Sequence, residues 1–277
     1  LHVSVIKTWM DQLMPTPFTM IPVPERTQTK PRAQGLTMMM DWGMPLGQQR
    51  DWLGMIHPYV DLAKLVVGTA KLYEEDYLRE KLAVYQEHAV RPFLGGQFLE
   101  FVVNAQGIDG ARAFCAEASR LGIAAIEVSD NVVPLTDQQR RDLIRIATDA
   151  GLEVHGEVGS KSESSDPAEL IAQAELCFDA GADVVLVEAA ELLQNGEPDT
   201  QLIDALRQGL DMSRVIFELG GPWLKGVTQT DNYQLKVFLI NTFGPDINLA
   251  NIMPDAIWET EAARVGLSVA GPLRRNG

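Results

Sequence analysis

Basic residues, cysteines and long apolar runs are scarce in this chain, and each scarcity removes a class of function. Lysine and arginine number 23 against 38 aspartates and glutamates, a formal net charge of −15 over 277 residues. A field of that sign repels nucleic acid and anionic membranes, so neither is expected as a partner. Small anionic substrates stay compatible, because one lysine or one Mg²⁺ ion outweighs the global field locally. The 2 cysteines, Cys115 and Cys177, sit inside helical apolar patterns and read as buried small hydrophobes. They support neither a disulfide scaffold nor a thiolate zinc site. No apolar run approaches the roughly 20 residues that a membrane-spanning helix needs. Residues 1–30 carry Pro15, Pro17, Pro22 and Pro24 where a secretory signal would have its apolar segment. A cytoplasmic location is the expectation. Glycine and proline, at 23 and 15, are too few for a fibrous or low-complexity chain.

What remains is 46% hydrophobic, enough for one large core. Eight short β-like runs alternate with stretches of helical character: Leu36–Asp41, Val60–Val67, Arg91–Leu94, Ala124–Asp130, Glu153–Gly159, Asp183–Glu188, Val215–Leu219 and Asp246–Ile252. Between them the periodicity predicts helices at 48–56, 72–88, 108–121, 167–180 and 229–242, one capped by Thr136 with Gln139, and a last one running to Arg264. Helices between strands imply a parallel sheet with right-handed crossovers. Eight units favour closure, and the glycine phosphate loop of an open doubly wound sheet is missing. The expected fold is α/β, a single (β/α)8 TIM barrel over residues 34–277, with residues 1–33 as an N-terminal arm. The arm and the outward tyrosines and tryptophans offer surface for a homo-oligomer.

The strands carry charge. Asp41, Glu127, Glu157, Glu188 and Glu218 lie in or at the ends of strand-like runs. A carboxylate in a barrel strand is costly unless paired, hydrated or metal-bound. Several converging at one pole would make an oxygen-rich pocket, and a subset of these five is expected to hold Mg²⁺. Lys64 interrupts an apolar strand and suits a fixed anion-holding role, with a Schiff-base role left open. Glu157 and Lys161 flank the turn EVGSK, where Gly159 lets backbone approach a ligand. Lys161, Lys64 and Glu157 are the candidate catalytic side chains. Gly95 and Gly96 could offer amides to an anion, and Asp130, Asn248 and Asn251 are further candidates for substrate contact. Each has a purely local reading, as a cap or a backbone partner. His155 and the run Met38–Met40 read as core.

The ordered pieces resemble the phosphosulfolactate synthase family over roughly residues 30–267. They are KPRAQGLTMMMDWG (30–43), VDLAKLVVGTA (60–70), FLGGQFLE (93–100), AAIEVSD (124–130), EVHGEVGSK (153–161) and INLANI (247–252). The resemblance implies a Mg²⁺-dependent barrel that adds sulfite to phosphoenolpyruvate, giving (2R)-2-phospho-3-sulfolactate on one route to coenzyme M. It implies that Lys161 donates the proton at C2 and that Lys64 holds an anionic group. Three departures stand out. Ser160–Lys161 replaces a lysine pair, Ala189–Ala190 stands where the family carries an arginine, and the arginine-rich run after the last helix is reduced to Arg264. Alanine does not replace arginine at a bidentate phosphate site. Two alternatives follow: a divergent lyase or synthase using another enolizable carboxylate or nucleophile, and a non-catalytic, stress-related barrel protein. Intact inward charges argue against the second, since no ligand would then offset their desolvation.

Overall fold

The computed structural model describes residues 17–160 and 165–273. Eight parallel strands close into a barrel: β1 (Thr37–Asp41), β2 (Leu62–Leu65), β3 (Arg91–Leu94), β4 (Ala125–Val128), β5 (Glu153–Val158), β6 (Val184–Val187), β7 (Val215–Glu218) and β8 (Leu249–Ile252). Strands pair in chain order, and β8 returns to pair with β1. The outer ring is α1 (Leu46–Ile56), α2 (Glu75–Glu87), α3 (Gly96–Leu121), α4 (Asp137–Asp149), α5 (Pro167–Ala180), α6 (Thr200–Gly209), α7 (Gln229–Phe243) and α8 (Ile257–Arg264). No helix among the described residues is long and apolar enough to cross a membrane.

The two-residue period of a strand sorts side chains into two cores. Leu36, Met38, Leu62, Phe93, Ala125, Leu186, Ile216 and Ala250 form the apolar plug inside the barrel. Alternate residues, among them Ala63, Leu65, Ile126, Val128, Val154 and Val185, pack outward against the helices. His155 joins the inner layer with its ring 4.6 Å from that of Phe93. Burial pushes its pKa down to about 3, so it is a neutral core group.

Caps set the helix limits. Thr136 and Gln139 form the expected capping box on α4, and Asp166 caps α5 ahead of Pro167. The third helix differs from expectation. It begins at Gly96, directly after β3, and breaks at Gly107 (φ 70°) before resuming. A small hairpin, Leu193–Gln194 with Glu197–Pro198, also lies outside the expected pattern.

Residues 26–32 close the N-terminal pole. Arg26 pairs with Glu261 at 2.8 Å and Asp246 at 3.1 Å, and Arg32 pairs with Asp61 at 2.9 Å. The Lys30 ammonium donates to the carbonyls of His57, Val60 and His88. Arg264 is fully buried and donates to the carbonyls of Pro245, Ile247 and Leu36. It belongs to the closed pole, not to an anion site.

Candidate active site

The site follows from strand parity. Two residues beyond the apolar plug, on the same inward face, stand Lys64 (after Leu62), Glu127 (after Ala125), Glu157 (after His155), Glu188 (after Leu186) and Glu218 (after Ile216). All are buried. One apolar layer therefore supports one ionic layer at the C-terminal end, where barrel enzymes carry their chemistry.

The Lys64 ammonium lies 2.7 Å from Glu127 Oε2 and 3.3 Å from Glu218 Oε1. Burial alone would lower its pKa, but Glu127, Glu218 and Glu157 outweigh it and raise the value, so Lys64 stays charged. Burial raises the Glu127 pKa, and Glu157 and Glu218 add to the rise against the pull of Lys64. Glu127 also accepts the Gly96 N–H at 2.7 Å. Only glycine fits there, since a Cβ would stand 2.1 Å from Ser129 Oγ. Glu157 accepts the Asn131 side-chain amide at 2.6 Å.

One carboxylate oxygen from each of Glu127, Glu157 and Glu218 can be chosen so that all lie within 4.8 Å of one another. Opposite ligands of Mg²⁺ are about 4.2 Å apart, so oxygens gathered this closely are within the reach of one ion. The charges agree as well. Once ionised, the three carboxylates outnumber the Lys64 ammonium, an excess that a dication neutralises, and the all-oxygen donor set is that of a hard cation. These residues fit a divalent cation.

The cavity above the cluster holds about 280 Å³ and is walled by Met40, Trp42, Val66, Trp223 and Asn251. The Trp42 and Trp223 rings lie 5.7 Å apart. Gly95, Gly96 and Gln97, at the start of α3, complete one side and bring the positive end of that helix to it.

Outside this ionic layer, further carboxylates anchor the loops. Asp41, expected as a metal ligand, faces the helices. Its neighbour Met40 takes the inward position, while Asp41 pairs with Lys81 at 2.8 Å. It accepts from Tyr85 at 2.7 Å and from the Gly43 and Met44 amides. Asp41 thus holds the loop that carries Trp42. Glu100, on α3, accepts from Ser129 and from the amides of Asn131, Val132 and Val133. It fixes the loop that aims Asn131 at Glu157. Glu191 accepts from the Ser160 amide at 2.7 Å, the Ser165 amide at 2.8 Å and the Ser165 hydroxyl at 2.6 Å. It grips both ends of the segment bearing Lys161, which itself lies outside the described residues. A Cβ on Gly159 (φ 101°) would meet Glu191 Cγ at 2.7 Å, so glycine is required there too.

The remaining candidates separate clearly. Asp130 pairs with Arg140 at 2.7 Å instead of facing the cavity. The Gly95 and Gly96 amides are engaged by the Leu65 carbonyl and Glu127, so neither is offered to an anion. Asn248 is at the opposite pole, where it accepts the Leu36 N–H and donates to the carbonyls of Met212, Ser213 and Val215. It precedes β8, and that alone takes it away from the site. Asn251, at the other end of β8, lines the cavity. Sequence reasoning missed Glu100, Glu191, Asn131, Trp42 and Trp223. Glu100 had a signal, a lone carboxylate between Leu99 and Phe101 in an apolar helix start.

A closed (β/α)8 barrel with a buried lysine–carboxylate layer beneath a C-terminal cavity has the architecture of a barrel enzyme. Residues 25–269 match the family model of (2R)-phospho-3-sulfolactate synthase (ComA), and the chain belongs to that family. It is 32% identical over 249 residues to the phosphosulfolactate synthase of Methanothermobacter thermautotrophicus, covering 86% of this chain and 91% of the relative. To the phosphosulfolactate synthase of Bacillus subtilis it is 30% identical over 260 residues, 88% of this chain and 94% of the relative. Among solved structures, the carboxyl transferase domain of Rhizobium etli pyruvate carboxylase superposes with a TM-score of 0.55 at 15% identity. That match covers 81% of this chain and 41% of the larger one, and it reports the fold alone.

Proposed function

We propose that this chain is a Mg²⁺-dependent synthase that forms a carbon–sulfur bond by adding sulfite to phosphoenolpyruvate. One observation carries the reading. Glu127, Glu157 and Glu218 converge beside Lys64 at the catalytic pole of a chain in this family. In the addition, the sulfur lone pair forms the bond to C3. The C2–C3 π pair moves toward C2 and its carboxylate, and a proton then adds at C2. A dication held by the three glutamates would supply electrostatic stabilisation of that developing charge. Lys64 is a permanent cation on the floor of the cavity and suits holding a substrate carboxylate or phosphate. Its raised pKa disfavours a Schiff-base role, which needs a neutral amine. Lys161, next in sequence to the Ser160 held by Glu191, is the proton donor to C2 in this reading. Trp42 and Trp223 narrow the mouth and exclude water.

A second reading has its own observation. Lys64 is the only basic side chain among the described residues lining the cavity, and it is already engaged by two glutamates. That favours a substrate less negative than phosphoenolpyruvate on the same scaffold. Incubating the protein with Mg²⁺, phosphoenolpyruvate and sulfite, with ³¹P NMR and mass spectrometry as readouts, separates the two. A phosphosulfolactate product supports the first. Its absence with folded, metal-loaded protein shifts the assignment to the second, to be pursued by exchanging nucleophile and enol acid in turn.

A further inference from the structure

We infer that Asn251 supplies a neutral oxygen ligand, through Oδ1, to the divalent cation held by Glu127, Glu157 and Glu218. The inference rests on the cation-site reading of that cluster and adds a residue from a fourth strand.

Strand β8 does not run in step with β1. Thr37 pairs with Leu249 but Met39 pairs with Ile252, so three steps on β8 oppose two on β1. The extra residue is a bulge, a device that re-aims a side chain beside a barrel site. Asn251 takes the left-handed conformation there, with φ 61°. Asparagine tolerates that region better than other side-chain-bearing residues. Asn251 lines the cavity together with Lys64, Glu127 and Glu218. Register places it close to the cluster: Ala250 pairs with Glu218, and Asn251 is the next residue toward the mouth.

The amide orientation is determined. Nδ2 donates to the Leu219 carbonyl at 3.1 Å, and the flipped amide would set two acceptor oxygens against each other. Oδ1 is therefore the atom left without that contact. It is buried and has no hydrogen-bond partner among the described residues, on a residue only 9% exposed. A buried acceptor left unsatisfied is unfavourable. The chemistry of the atom then identifies what satisfies it. An amide oxygen repels the deprotonated oxygens of a carboxylate, phosphate or sulfite, and it attracts a cation. The hydrogen bond and ion pairs of Lys64 go to Glu127 and Glu218. The remaining negative excess calls for a dication, and a carbonyl-type oxygen suits a hard one. A neutral ligand also adds no fourth carboxylate to the three already there.

The test is Mg²⁺ binding by calorimetry, repeated with Mn²⁺ by electron paramagnetic resonance, on the intact chain and three variants. Asn251→Gly keeps the left-handed backbone accessible and removes Oδ1. It should weaken binding about tenfold, the lower end of what loss of a supporting metal contact costs. Asn251→Asp should bind at least as tightly as the parent, because it keeps an oxygen and adds charge. Glu218→Gln is the control for the cluster. If Glu218→Gln weakens binding while Asn251→Gly stays within about twofold of the parent, the inference is overturned and the cluster reading stands. If neither variant changes affinity, both fail. Should Asn251→Gly not fold, Asn251→Asp decides: weaker binding than the parent overturns the inference, and equal or tighter binding upholds it.

Discussion

Replacing Lys64 with methionine removes the only positive charge within the carboxylate cluster among the described residues and leaves the volume nearly unchanged. Lys64 lies 2.7 Å from Glu127 and 3.3 Å from Glu218, with its side chain 11% exposed. Deleting one partner of a buried ion pair costs about 3–5 kcal/mol, because the other charge is left uncompensated. For a chain of this size each kcal/mol lowers the melting temperature by about 2–4 °C, so a loss on the order of 10 °C is expected. The loss should depend on pH in a definite direction. Burial and neighbouring carboxylates already raise the Glu127 pKa above its unfolded value, and losing Lys64 raises it further. A raised folded pKa contributes stability at low pH that is lost as pH climbs through it. Parent and variant both hold the Glu127 proton well below pH 8, so the pH-dependent part of the gap opens as pH climbs through about 8, where the parent ionises Glu127 and the variant does not. Mg²⁺ at 100 times its dissociation constant should restore about 2.7 kcal/mol, provided the site forms without Lys64. The assay is thermal unfolding from pH 5 to pH 9, with Mg²⁺ and with chelator. A Lys64→Met protein melting within about 2 °C of the parent at pH 9 in chelator would refute the reasoning.

Four further outcomes are expected. Because the Glu127 pKa is raised to about 8, cation binding should expel a proton and tighten between pH 7 and pH 9; calorimetry in buffers of different ionisation enthalpy would show no buffer dependence if Glu127 were already ionised. Glu100→Gln cannot accept the three amides that the carboxylate holds, so it should cost about 2–3 kcal/mol and speed hydrogen exchange at Asn131, Val132 and Val133; unchanged exchange there would remove Glu100 from the anchoring role. Asp41→Asn should cost about 3 kcal/mol through its buried contacts with Lys81 and Tyr85 while Mg²⁺ affinity stays at the parent value; weaker Mg²⁺ binding by the folded variant would return Asp41 to the metal. Lys161→Ala should slow the single-turnover step more than a hundredfold if it is the acid, the lower range for general acid catalysis, with melting unchanged; near-normal turnover assigns the proton to another group.

The inward carboxylates could be read from the sequence where a strand alternates. AAIEVSD and EVHGEV show apolar outward residues flanking Glu127 and Glu157, and the pleat carries that order into space. Strand β1 gives no such cue. In TMMMD every position is buried, apolar residues occupy both faces, and parity cannot be assigned from hydropathy. That is how Asp41 came to be expected in the site and is found outside it. Parity also fails at Asn251, because a bulge inserts a residue that no pattern announces. The pair Gly95–Gly96 opens a helix well before the one expected at 108–121, since the contact of the Gly96 amide with Glu127 overrides low helix propensity. The hairpin at 193–198 was marked by Asn195–Gly196, a pair that favours the left-handed turn found there.

The pairing of β1 with β8 has a consequence for how the chain is made. Arg26 meets Glu261 across 235 positions, and Arg264 meets Leu36 across 228. Contacts of such separation form late, because the loop they close carries a large entropy cost. At a synthesis rate of about 5–20 residues per second, the segment between Arg26 and Glu261 takes roughly 10–50 s to emerge. Throughout that interval β1 has no partner for its free edge, and an unpaired edge is a template for pairing with another nascent chain. The barrel therefore stays open along that edge until residues 246–264 arrive to seal it.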